Sequence, residues 1–447
     1  MIFKNRDQII ENGQTEDIKR VRRDILDIFS FAIDAVDPYN SVFSRFNDGA
    51  IDIESKKIHI SDFKNIYLIG FGKASIGMAK AVCDSVNIKN GIVVTNDISA
   101  KSINANIKIF VASHPIPEIE NIDATDEILK LINKCEKDDL LIVLISGGGS
   151  ALLCKPRVDL NDIKITTDLL LSCGADIKEI NTVRKHLSHV KGGQLARISN
   201  CRMVSLIISD VIDDPIEFIA SGPTYPDSTT FKDTMDILEK YEIYKKLPSS
   251  VCDIIEKGLR NEIPENPKKD HPTFNKVDNI IVANNILACA AAEKKAYELG
   301  YATNIITNSL KGEARDAGIS LIEKILEKNS KNHRFALISG GETTVTIKGK
   351  GKGGRNQEMV LSTVNFLSRK NIVFSSFATD GIDGMSNAAG AIADFLTLKK
   401  ANDLKLDPEF FLDDNNSNEF FDILGDLLIT GPTGTNVMDI QIMIKIE

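Results

Sequence analysis

Short apolar runs alternate with helix-like segments along almost the whole of this 447-residue chain. That alternation is the pattern of a mostly parallel sheet covered by helices on both faces. In the first half, strands are expected at 65–70 (NIYLIG), 91–95 (GIVVT), 107–113 (IKIFVAS), 140–146 (LLIVLIS) and 203–209 (MVSLIIS). Helices fill the intervals; DATDEILKLINKC offers Asp123 as an N-cap before apolar residues at helical spacing. The sharpest break is NEIPENPKKDHPTFNKVD, 261–278, where three prolines and dense charge interrupt both periodicities. Beyond it come strand signals at 279–285 (NIIVANN), 302–308 (ATNIITN) and 334–340 (RFALISG), then TTVTIKGKGKGGRNQE, which reads as a β-rich stretch turning through glycines into a helix, and a final strand in NVMDIQIMIKI. The reading is an α/β protein of two domains, 1–260 and 275–447. A small-molecule site is expected in the cleft between two such domains.

Composition removes several function classes. No apolar run approaches the roughly 18–20 residues needed to span a bilayer. The start, MIFKNRDQIIENGQ, is charged too early for a secretory leader, so a cytoplasmic protein with no membrane partner is expected. Seven cysteines are scattered without a C-x-x-C pair, and six histidines lack zinc-ligand spacing. A net charge of −9, with no tryptophan and 6% aromatic residues, argues against broad nucleic-acid binding.

Chemistry concentrates where glycines follow strands. Gly147, Gly148 and Gly149 come directly after the fourth strand, between Ser146 and Ser150. Such a run serves either as a tight turn or as a backbone cradle for phosphate. After the first strand, FGKASIGMAKAV places Lys73 in a glycine loop that opens a helix. This is not a P-loop, which would require glycine at Tyr67 and a hydroxyl at Ala74. Nor is it a dinucleotide fingerprint, because Gly70, Gly72 and Gly77 have the wrong spacing. A lysine there suits a transferred phosphoryl group. Residues 176–195 form a basic helix, with Arg184, Lys185, His186 and Lys191 before a Gly192-Gly193 stop, the composition of a solvated face. Asp210 ends the fifth strand, on the ligand side of an open sheet, where it would organise Mg²⁺, accept a proton or cap a turn. In the second domain, ISGGETTVTI repeats the strand-then-glycine device with Gly340, Gly341 and Glu342. Lys348, Lys350 and Lys352 read as an exposed hairpin, Arg355 as a bidentate clamp at a helix start, and FATDGIDG sets Asp380 and Asp383 after another strand.

Taken in order, GFGKAS, ISGGGSALL, EINTVRKHLSHVKGGQLA, ASGPTYPD, SGGETTVT, GKGGRNQE, ATDGIDG, AGAIAD and TGPTGTNVMDI resemble the motifs of the glycerate 2-kinase family with a C-terminal MOFRL domain, from about Gly70 almost to the end. The chain departs from the family pattern at Cys154 and Lys155, where small or apolar residues are usual, and at DVIDDP, where many relatives have a proline and glycine before the acids. The resemblance implies a Rossmann-like N-terminal α/β/α domain and a smaller C-terminal α/β domain whose MOFRL segment spans about 334–441. It implies in-line transfer of the ATP γ-phosphate to the 2-hydroxyl of D-glycerate with Mg²⁺, by a monomer or homodimer. Carried over residue by residue, it makes Lys73, Asp210 and Arg355 catalytic. Ser146 to Ser150, Gly340, Gly341, Glu342 and Asn284 would bind phosphate or nucleotide, and Lys73, Arg355 and Asn356 the substrate. Asp210, Asp380 and Asp383 would be metal ligands. Relatives labelled hydroxypyruvate reductase supply an alternative, an NAD(P)H-dependent reductase with Asp97 on a ribose. A non-catalytic sensor of small anions is a further alternative.

Overall fold

Residues Leu140–Ile145 form a strand with every residue buried, flanked by parallel partners on both sides. That is why the run is apolar throughout instead of alternating. The structure is a computed structural model that describes residues 2–53, 56–327, 334–368 and 370–446. Across the six-stranded sheet the order is Ile107–Val111, Asn90–Thr95, Ile66–Phe71, Leu140–Ile145, Arg202–Ile208 and Val277–Ala283. The first five strands are parallel, as the sequence predicts. From Ile66–Phe71 the chain winds outward through two strands, then returns to the opposite side of that first strand with Leu140–Ile145. The winding therefore reverses between these two strands, and their C-terminal ends open where α/β sheets hold ligands.

Two expectations about domain boundaries are corrected. The compact units are 38–282 on one side and 1–37 with 283–447 on the other, not 1–260 and 275–447. The strand expected to begin the second domain, now Val277–Ala283, is the sixth strand of the first sheet. The proline-rich segment before it is tied down: Asn266 accepts from Gln194 at 2.7 Å and donates to Asp227 at 2.7 Å. The N-terminal segment joins the later unit because helix Glu16–Ala35 is amphipathic and lays its buried face against helix Asn285–Glu298. Arg22 on that helix is fully buried, donating to Asp394 at 3.0 Å and to Asp426, while Tyr301 donates to Asp24 at 2.5 Å.

The second six-stranded sheet is mixed, with the order Ala302–Leu310, Phe335–Gly341, Asp439–Lys445, Ile372–Ala378, Gly390–Asp394 and Leu427–Leu428. Only its first pair is parallel. The final strand enters antiparallel between two neighbours and needs no crossover helix, so alternation in the sequence overstates parallel pairing here. Two local readings also change. Helix Ile119–Ile132 begins before Asp123, at a capping box of Glu118 and Asn121. Residues 343–354 form no strand beyond a single bridge at Thr344; the amides of Lys348 and Gly349 donate instead to the Asn415 side chain at 2.7 and 2.9 Å.

Candidate active site

Within the 38–282 unit, the loops after Ile66–Phe71 and Leu140–Ile145 meet at the winding reversal. The Lys73 amide donates to the Gly147 carbonyl at 2.9 Å, and the Ala74 amide to the Ser146 hydroxyl at 3.1 Å. Gly72 permits this approach: it has φ +133°, and a Cβ there would lie 2.1 Å from Ser146 Oγ. The Lys73 side chain is exposed and precedes helix Ser75–Ser85, as expected. The amides of Gly147 and Gly148 donate to no protein acceptor among the described residues, leaving two donors for an anion. Gly148 has φ +83°, and its missing side chain leaves 3.0 Å to the His114 ring and 3.5 Å to Lys73 Cγ. Burial, and secondarily the Lys73 charge, push the His114 pKa down. The helix after the glycines is only the short turn Gly149–Leu152, so the cradle rests on individual amides and not on a helix dipole.

Behind the glycines, Ser150 Oγ lies 2.8 Å from Ser221 Oγ, which donates to Asn181 at 3.1 Å. Ala220 and Ser221 both have positive φ, 50° and 62°, the strained backbone that packed surroundings hold at functional sites. Helix Ile177–His186 ends before Gly192-Gly193, and its basic residues are not a solvated face. Lys185 is fully buried against Asp227 at 2.6 Å and Glu217 at 2.8 Å. Lys191 is also buried, donating to the carbonyls of Ser150 at 2.6 Å and Leu153 at 3.0 Å. Asp210 lies two residues beyond the end of strand Arg202–Ile208, half-buried. His114, Asn181, Ser221 and Lys191 are the neighbours that sequence reasoning missed; a burial pattern cannot be read from a basic helix until its packing is known.

In the other unit, Arg355 opens helix Arg355–Leu367 and is held bidentately by buried Asp439, at 2.5 and 2.8 Å, with Glu342 at 3.1 Å. This leaves its second terminal nitrogen without a protein acceptor among the described residues. Asp383 is fully buried, and its two oxygens accept from the amides and side chains of Asn356 and Gln357 at 2.8–3.2 Å, so it fixes the helix start. Asn356 is likewise buried and accepts from Ser376 at 2.5 Å. Gly340 and Gly341 leave room for protein: their Cβ atoms would fall 1.9 Å from Asn285 Oδ1 and 2.3 Å from the Leu310 amide. Asn284 caps helix Asn285–Glu298, accepting from Leu287 at 3.0 Å. Asp380 is half-buried and accepts from the Ile382 amide at 3.0 Å. Lys348, Lys350 and Lys352 are exposed. Asp97 accepts from the Ser99 amide at 2.8 Å and hydroxyl at 2.6 Å, closing a local turn.

Comparison with known proteins matches residues 24–256 to a family described as a domain of unknown function, DUF4147, and residues 335–439 to the MOFRL family. A Glycerate 2-kinase of Pyrococcus horikoshii is 44% identical, covering 92% of this chain and 94% of its own. An Agrobacterium vitis relative with a provisional hydroxypyruvate reductase name is 40% identical, covering 84% and 86%. A crystal structure described as a glycerate kinase of Thermotoga maritima superposes with TM-score 0.85 at 36% identity, covering 96% of this chain and 100% of that one. The chain belongs to the glycerate 2-kinase family, in which a DUF4147 domain is followed by a MOFRL domain.

Proposed function

We propose that this protein is a glycerate 2-kinase that transfers the γ-phosphoryl group of ATP to the 2-hydroxyl of D-glycerate. The observation that carries the reading is the Lys73 amide bonded to the Gly147 carbonyl, which sets the lysine beside the uncommitted Gly147 and Gly148 amides where the sheet's winding reverses. Phosphoryl transfer asks a protein mainly for positioning and charge neutralisation, and an exposed lysine beside uncommitted amides offers both. In this account the glycerate oxygen forms the new P–O bond as the γ-phosphorus separates from the bridging oxygen, which leaves with the electron pair on ADP. Asp210, at a strand end, orients the hydroxyl and takes its proton. Arg355, held by Asp439, presents its remaining N–H groups to a substrate or phosphoryl oxygen.

Mg²⁺ supplies charge neutralisation on the nucleotide phosphates and is typically held by those phosphates with one or two carboxylates. Asp210 in one unit and Asp380 in the other are each a carboxylate proposed for that role, while both Asp383 oxygens accept from helix donors. Among the described residues no group of three or more His, Cys, Asp or Glu is placed to hold a metal alone, so a protein-only metal centre is not part of this reading. The described helices include none long and apolar enough to cross a membrane.

The reductase alternative draws on the name of the Agrobacterium relative. The closed Asp97 turn and the glycine spacing weigh against it. Following ADP release with and without D-glycerate, alongside NADH oxidation with hydroxypyruvate, tests the two readings. Glycerate-dependent ADP release supports the kinase; NADH oxidation with no ADP release replaces it.

A further inference from the structure

Next to the Ser146–Ser150 loop, but not used in the chemistry above, two cations face one small pocket without a counter-charge. Arg184, Lys191, Ser150 and Cys154 line it, with Lys155 and Ser188 at the rim. Lys155 is neutralised by Asp126 at 2.6 Å. Arg184 makes no hydrogen bond or ion pair with any described residue, and Lys191 reaches only two carbonyls. No carboxylate acts on either side chain; the only nearby group favouring their charges is the Cys154 thiol. Burying Lys191 beside the half-buried Arg184 guanidinium with no anion is costly in an isolated protein. A ligand that brings the missing charge removes that cost. The pocket's space for water-sized groups is about 20 Å³, against roughly 10–15 Å³ for one water. It therefore admits one or two oxygens of an oxyanion and excludes a nucleobase or ribose.

We propose that Arg184, Lys191 and the Ser150 hydroxyl form an oxyanion subsite that takes one anionic head of a reactant, either the carboxylate of the acid substrate or a phosphoryl group of the nucleotide. The choice between these sources rests on the kinase reading; the subsite itself does not. Arg184 supplies a planar fork of donors, Lys191 an amine that a bound anion holds protonated, and Ser150 a hydroxyl already aligned by Ser221. Departure of the anion leaves the cation pair uncompensated again, so the subsite holds its anion against release.

Calorimetric titration of wild type, Arg184→Gln and Arg184→Lys with inorganic phosphate, D-glycerate and Mg-ADP separately tests this, with ligand-free melting temperatures measured alongside. Arg184→Gln is expected to melt at or above wild type, because it removes an uncompensated charge from beside buried Lys191. It should lose about tenfold or more in affinity for phosphate and for one of the two reactants, with partial recovery in Arg184→Lys. Loss for D-glycerate identifies the carboxylate, and loss for Mg-ADP the phosphoryl group. Affinities within twofold of wild type for all three probes overturn the subsite. So does a wild type that binds no phosphate at concentrations on the order of tens of millimolar, a result that needs no folded variant. Arg184-dependent phosphate binding in a protein without glycerate-dependent ADP release keeps the subsite and removes the proposed function.

Discussion

The Lys73 amide and the Gly147 carbonyl are joined at 2.9 Å, so the loops leaving two adjacent parallel strands are tied into one surface. The lysine's backbone is held while its side chain remains exposed. A residue so placed contributes little to folding and is available to a ligand. Lys73→Ala should therefore melt close to wild type, within roughly 0.5 kcal/mol, while kcat falls at least about 100-fold. Steady-state turnover and a thermal melt on the same preparation check this. Turnover within a few-fold of wild type would remove Lys73 from the chemistry.

The joint between the loops depends on a backbone that side chains resist. Gly72→Ala must accommodate a Cβ 2.1 Å from Ser146 Oγ at φ +133°, a backbone cost of about 1–3 kcal/mol before any clash. Gly148→Ala is milder sterically, with 3.0 Å to His114, but also needs positive φ. Both substitutions should lower nucleotide affinity, and Gly72→Ala should lower stability more. Urea midpoints and Mg-ADP titration distinguish these effects; a Gly72→Ala protein as stable as wild type contradicts the local account.

Much of this arrangement was legible in the sequence, for identifiable reasons. The apolar run 140–145 is buried on both faces, so strand and glycine loop could be placed without knowing their neighbours. The glycine loop after the first strand located Lys73, and the structure supplies the winding reversal that gives its position meaning. What failed was reading long-range packing from local texture. The helix carrying Arg184, Lys185 and His186 has a basic last turn that suits the helix C-terminus, yet its partners Asp227 and Glu217 lie 42 and 32 residues away. The charged, proline-rich stretch at 261–278 looked like a linker, but its Asn266 is buried among side chains from earlier loops. Arg355 was recognised as a clamp; Asp439, which fixes it, carries no local signal of that role.

The N-terminal segment should matter to the unit it joins. Arg22 compensates two fully buried carboxylates, Asp394 and Asp426, and donates to the Ile9 carbonyl at 3.1 Å. Arg22→Ala leaves both carboxylates without their guanidinium and should destabilise by about 3–5 kcal/mol. Simultaneous Asp394→Asn and Asp426→Asn changes should recover part of the loss. Equilibrium denaturation tests both steps, and a shift below about 1 kcal/mol for Arg22→Ala would mean that the triad is not paired as described.

Lys191 predicts a particular pH dependence. Burial first, and the Arg184 guanidinium second, push its pKa from 10.5 down to about 7, with Cys154 acting in the opposite sense. Between those values the unfolded chain holds a proton that the folded protein lacks, so this group's contribution to stability rises as pH increases from about 7 towards 10.5. In Lys191→Met that rise is absent. The urea-midpoint difference, wild type minus Lys191→Met, should grow as pH rises from about 7 towards 10.5; parallel curves contradict the assignment.

The most direct measurement of the central claim is the position of the new phosphate. Purified protein incubated with D-glycerate, ATP and Mg²⁺ can be followed by ³¹P NMR without any coupling enzyme. The account predicts a 2-phosphoglycerate resonance growing in step with ADP, and neither in Lys73→Ala. A 3-phosphoglycerate resonance would contradict the assignment of the 2-hydroxyl, and no glycerate-dependent consumption of ATP would contradict the kinase itself.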